Sequence, residues 1–330
     1  MIVGEAEFER CMEAALSAPA TAGDGVLGPD SVMWRVHREA ALFLGAGRAL
    51  LLQLAHPWVA AGIAGQSKVF ADPLGRFHRT FGIVYTMVFG TRDQAVAVAR
   101  RLYRRHAAVD GVMTETVGPF AAGSRFLAND VEALRWVHAT LVETAMMSYG
   151  LLCPPLSEAE REQYWREAMR FAGLFGIPRD ALPPDWTSFK AYTAAMMESE
   201  TLTVSTAARD IARRIFAGEA TWIGPPRWFN ALTAEMLPER LRLAFDLPYG
   251  ERERRSAARA RIWLPRVYAA LPDRLRTVGP YQEAIARIEG HACPPFTQLL
   301  NRAWIGQPLM PAASGVSRPS PTPGGGHRKV

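Results

Sequence analysis

Apolar positions recur at steps of three and four along most of this chain, and no segment sustains a period of two, so the pattern predicts helices. The clearest stretch runs from Asp130 to Gly150. Val131, Leu134, Val137, His138, Leu141, Val142, Ala145 and Tyr149 form one stripe there, and Asn129 or Asp130 can cap its first turn. Upstream, a short helix is expected from Glu5 to Leu16, then a long one from Ser31 to Leu54 that stops at His56-Pro57. Asp72-Pro73 opens a helix carrying Arg76, Phe77, His78, Arg79 and Thr80, and Gly90 closes it. Thr91 with Gln94, and Ser157 with Glu160, are capping-box pairs that start helices reaching about Val109 and Phe175. Gly111 to Gly123 is expected to be a loop. Later helices fit Thr187–Glu198, Leu202–Phe216, Arg227–Leu237, Pro238–Ala244, Tyr249–Leu271 and Pro280–Glu289. The fold class is therefore all-α, with about a dozen helices.

The same pattern divides the chain. Residues 1–30 hold a helix and a Gly/Ala/Pro-rich connector, 31–250 the helical core, and 251–309 further helices packed on that core. Residues 310–330 are a low-complexity tail expected to be disordered.

Composition narrows the class of function. Hydrophobic residues at 49% and charged residues at 21% are ordinary for a globular protein. The net charge of +6 is modest, and much of it sits in the arginine-rich run from Glu251 to Arg266. Such a run is usually a solvated helix face, with peripheral contact to an anionic membrane as the lesser reading. No nucleic-acid-binding signature accompanies it, so no nucleic acid is expected. Three scattered cysteines make neither a disulfide framework nor a zinc site, and without a CxxCH motif covalent heme attachment is excluded. The acidic start lacks a signal-peptide pattern, and no apolar run approaches the ~20 residues of a membrane span. The expectation is a cytoplasmic protein without a transmembrane segment.

Candidate chemistry centres on histidine. Glu-x-x-His pairs for a di-iron bundle are absent, as are HExxH and GxSxG. GAGRAL at Gly45–Leu50 lacks the third glycine and the preceding strand of a dinucleotide fingerprint, so close helix packing explains it. His138 lies in an apolar stripe, where an imidazole costs free energy unless its nitrogens are paired. One reading gives it a hydrogen bond to a backbone carbonyl or hydroxyl. The other gives it a metal or heme iron, with Arg135 placed to meet an acidic group. A b-type heme asks for one axial histidine, an apolar slot and basic residues for the propionates. His138 with Leu134, Leu141, Val142 and Ala145 supplies the first two; Arg135, Arg76 and Arg79 could supply the third. His56 and His78 compete for the iron.

Three blocks occur in order: RALLLQLAHPWVAAGIAGQS (Arg48–Ser67), DPLGRFHRT (Asp72–Thr80) and LRWVHATLV (Leu134–Val142). Together they resemble the oxygenase family that includes latex-clearing rubber oxygenases and fungal MpaB-type oxygenases, over roughly residues 30 to 250. The resemblance implies a globin-like multi-helix domain holding one non-covalent heme b. The RxxH motif then puts the proximal ligand on His138 with Arg135 beside it. On the distal side the rubber oxygenases carry RxxKT, and here the stretch ends Arg79-Thr80, with arginine where the lysine would be. A guanidinium stays protonated and does not ligate iron, so the distal site is expected to be open, water-bound or capped by His78 or His56. Arg79 and Thr80 would line the pocket where O2 binds and stabilise negative charge developing there. The implied activity is O2-dependent oxidation or cleavage of a carbon–carbon double bond in an apolar, isoprenoid or lipid-like small molecule. The alternatives are a non-catalytic heme sensor or carrier and a heme-free helical scaffold.

Overall fold

The computed structural model describes residues 1–17, 23–65, 73–217 and 225–313. Gln66, Ser67 and Asp72 of the sequence blocks, and residues 314–330 of the expected tail, lie outside the described residues. Among the described residues the chain is all-α apart from one small hairpin, in which β1 (Asp110–Val112) pairs antiparallel with β2 (Arg125–Leu127). That hairpin sits at the ends of the expected loop, too short to register as an alternating pattern.

Helices α1 (Glu5–Leu16), α2 (Val32–His37), α3 (Ala46–Leu54) and α4 (Pro57–Ala64) lead into α5 (Pro73–Phe89) and α6 (Arg92–Ala107). The central helix α7 (Val131–Leu152) follows, then α8 (Glu158–Gly173), α9 (Trp186–Glu198) and α10 (Thr206–Ala217). The chain continues through α11 (Arg227–Glu235), α12 (Glu239–Ala244), α13 (Glu251–Ala270), α14 (Asp273–Arg276), α15 (Gly279–Ile288) and α16 (Pro295–Ile305). Both expected capping boxes form, at Thr91 and Ser157. Asp130 caps α7 by accepting from the backbone N–H of Glu132 and Ala133.

The long helix expected over Ser31–Leu54 is broken. After α2 the chain makes a short 3-10 turn, Ala40–Gly45, before α3 begins. The cause lies far away in sequence. Glu39 bridges to Thr277, the Val278 N–H donates to the Arg38 carbonyl at 2.8 Å, and the Tyr268 hydroxyl reaches the Glu39 carboxylate at 2.6 Å. The C-terminal helices thus compete for the backbone groups that would have continued the helix. The freed turn packs on α7, with Gly45 against Thr144 and Ser148; at Gly47 an added Cβ would come within 2.7 Å of Thr233 Oγ1. GAGRAL is close helix packing.

At the centre, α7 packs on α2, α3, α8, α13 and the 3-10 turn, while α5 packs on α2, α6, α15 and α16. Trp34, Trp136 and Trp165 are fully buried, and Trp136 Nε1 donates to the Leu52 carbonyl at 2.8 Å. Helix α16 was not expected from the sequence. It runs from Pro295 to the left-handed Gly306, and the chain beyond it is still held at Met310, which is buried and whose N–H donates to Glu283. Ordered packing therefore extends into the segment read as tail.

Candidate functional site

His138 sits on the face of α7 that meets α8. Its ring is wedged between Trp165 (6.0 Å between centroids) and Phe171 (6.1 Å), and Nε2 lies 2.9 Å from the Ala168 carbonyl. A carbonyl only accepts, so Nε2 carries the proton and Nδ1 keeps a bare lone pair. That Nδ1 is buried without a partner among the described residues. Leu134 and Val142 are buried beside the ring's own stripe, and Leu141 is half-buried. Arg135 is already engaged by the protein's own groups. It pairs with Glu132, donates to the Ala181 carbonyl at 3.0 Å, and lies over the Tyr192 ring at 4.7 Å. These contacts tie α7 to α9 and the turn before it.

Burial drives His138, His37 and His56 each down to about 4 from an ordinary 6.5. The folded protein holds them neutral, whereas the unfolded chain protonates them below pH 6.5. Between pH 6.5 and 4 the unfolded state therefore binds more protons, and stability falls as the solution is acidified through that window. The slope is at most about 1.4 kcal/mol per pH unit for each histidine. In urea unfolding at pH 7, 6 and 5, His138→Asn should show a shallower decline than the wild type, by one histidine's share. Identical slopes would mean that His138 is not held neutral.

The other predicted residues stand elsewhere. Arg76 and Thr80, one turn apart, share a flank of α5; Gly75, Arg79 and Gly82 share the adjacent one. Thr80 and Arg79 are exposed. Arg79 and His78 line a cavity of about 420 Å³ between α5, α6 and the end of α16, and His78 Nε2 lies 3.1 Å from the Ala303 carbonyl. His138 does not line this cavity, nor a second one of about 790 Å³ between α1 and α8. The structure thus gathers His138, Leu134 and Val142 in one place and Arg79 and His78 in another. His56 lies in a third, at the α3–α4 junction. It is buried against Phe120 (5.2 Å) with Nδ1 unpartnered among the described residues.

On α5 the structure shows the surroundings of Arg76, already a candidate for a propionate, and on α6 it shows His106, which the sequence had not singled out. Arg76 is half-buried and makes no hydrogen bond or ion pair with the described residues, and burial together with the Arg79 charge disfavours its charged guanidinium. Such a charge calls for an anionic partner. His106, on the last turn of α6, continues the inward stripe of Ala95, Ala99 and Leu102. Burial pushes it down to about 4, with the Arg105 charge adding to the effect, and neither ring nitrogen bonds to a described residue. The sequence signal was its i+4 step from Leu102. Its neighbours Arg104 and Arg105 are exposed.

Heme asks for a neutral imidazole with a free lone pair and for cations to meet its carboxylates. His106 and Arg76 meet both demands on neighbouring helices. His138 offers Nδ1 alone, inside an aromatic wedge. Among the described residues no group of three or more metal-ligating side chains is assembled, so a multi-ligand metal site of protein donors has no counterpart there. No described helix is long and apolar enough to cross a membrane.

A family model described as "ER-bound oxygenase mpaB/B'/Rubber oxygenase, catalytic domain" matches residues 34–266. No curated protein and no solved structure matches the chain.

Proposed function

The chain belongs to the family of the mpaB and rubber oxygenase catalytic domains, and from that premise we propose that it is a heme b-dependent oxygenase acting on a carbon–carbon double bond of an apolar, isoprenoid or lipid-like molecule. The observation that supports the heme reading is an arginine and a histidine on the neighbouring helices α5 and α6, neither bonded to a described residue. His106 offers an imidazole that makes no hydrogen bond to the described residues, and Arg76 offers a half-buried guanidinium with no anion among them. His106 would hold the iron and Arg76 a propionate. Heme, when bound, supplies the redox chemistry that activates O2. Thr80, on the Arg76 flank of α5, and Arg79 beside it can donate hydrogen bonds to negative charge developing on oxygen. The apolar residues of the helical core exclude water from the reacting carbon.

A second assignment, His138 as the ligand, is favoured by its buried lone pair and by its RxxH setting. The reading as a whole is tested by titrating the purified chain with hemin and then supplying a polyprenoid and O2. A one-to-one Soret band with O2-dependent loss of the double bond is expected. A Soret band without turnover would leave a heme sensor or carrier; no hemin binding would leave a helical scaffold and sink the proposal.

A further inference from the structure

The cavity between α5, α6 and α16 has a composition that the oxygenase reading uses only at Arg79. Among the described residues, three arginines line it and no aspartate or glutamate does. Arg101 and Arg105 stand one turn apart on α6, exposed and without a hydrogen bond or ion pair to the described residues. Like charges at that spacing repel and destabilise a helix unless something answers them. On the same helix, Arg100 is answered by Glu9, at 2.9 and 2.8 Å. The floor between the arginines is apolar, made by Ile83, Leu102 and Ile305. Gly82 adds no side chain to it, and a Cβ there would meet only Ile305, at 3.7 Å.

The far wall is fixed rather than loose. His78 Nε2 meets the Ala303 carbonyl, Gln94 Nε2 donates to the Pro311 carbonyl at 3.0 Å, and Glu283 accepts from the Met310 N–H. Gly306, in left-handed geometry at φ 72°, lets the chain turn tightly against His78. This wall, Ile305 to Pro311, lies beyond residues 34–266. The cavity is thus completed by a part of the chain that the family match does not cover. At about 420 Å³ it lies within the range of roughly 300–1,000 Å³ usual for small-molecule pockets.

We propose that this cavity binds an amphipathic anion, its carboxylate or phosphate head held by Arg101 and Arg105 with Arg79 near, and its chain laid on Ile83, Leu102 and Ile305. A cationic rim over an apolar floor selects both halves of such a molecule, and neither half alone. The proposal does not depend on heme.

Isothermal titration of the full chain at low salt with decanoate, decyl phosphate, decanol and inorganic phosphate tests it. At least one of the two amphipathic anions binds one-to-one, and the tighter of them identifies the head group. Decanol and inorganic phosphate bind at least about tenfold more weakly. Arg101→Gln with Arg105→Gln weakens the anion about tenfold or more, a loss in line with one or two charge-assisted bonds. The Lys versions at both positions retain most of the binding, and Arg104→Gln, on the same helix outside the cavity, leaves it unchanged. The proposal is overturned if no anion binds, if decanol binds as tightly as decanoate, or if inorganic phosphate matches decyl phosphate. It is equally overturned if the double Gln variant, unfolding at the wild-type midpoint, binds as well as wild type.

Discussion

His106→Ala should abolish the Soret band of the hemin-loaded chain and with it any O2-dependent turnover, while the protein stays folded. Removing an axial ligand costs more than disturbing its supporting partners, for which a 10–100-fold loss of metal affinity is typical, so hemin affinity should fall by more than about 100-fold. The fold should tolerate the change, because the imidazole makes no hydrogen bond with the described residues and stands at the end of a helix. His138→Ala should give the opposite result. It leaves a cavity between Trp165 and Phe171 and strips the Ala168 carbonyl of its donor, at a cost of about 2–4 kcal/mol in urea unfolding. The Soret band should survive it. A His138→Ala protein that is folded but colourless, alongside an unchanged His106→Ala, would move the ligand to His138 and reject the assignment to α6.

That contrast marks where the sequence stops informing. The α7 stripe was legible down to its cap, because periodicity and a capping aspartate are local properties. Which helix faces His138 is not local, and so the Ala168 carbonyl that α8 brings to its Nε2 could not be read from the sequence. The same limit explains the broken Ser31–Leu54 helix. Its residues favour continuation, and the interruption comes from Tyr268 and Thr277, more than two hundred positions away. Helix α16 was overlooked because Pro294-Pro295 and Gly306 read as loop punctuation, although proline is compatible with a first helical turn and glycine with a helix end. Family membership was legible from three blocks of residues. The placement of Arg79 away from His138 was not, since spacing along a chain says nothing of which helix pairs pack.

Arg48→Ala should cost about 3–5 kcal/mol, the largest loss of stability expected from a single substitution discussed here. Arg48 opens the first of the three blocks, but its guanidinium is turned inward and is 1% exposed. Nε donates to the Met236 carbonyl at 2.8 Å, and Nη1 donates to Thr144 Oγ1 at 2.7 Å and to the Glu143 carboxylate. One side chain therefore joins α3, α7 and the end of α11. Deleting it strands a carbonyl, a hydroxyl and a largely buried carboxylate together, and each loses a partner that water cannot readily replace. Against a total stability of roughly 5–15 kcal/mol, that is a large share. Arg48→Lys should recover only part of it, because an ammonium cannot reproduce the fork that reaches two helices at once. Replacing both charges, with Arg48→Met and Glu143→Leu, should cost less than Arg48→Ala alone, since no uncompensated charge then remains. Urea unfolding of the four proteins decides it. If Arg48→Ala lies within about 1 kcal/mol of wild type, the buried pair is not what holds these three helices together.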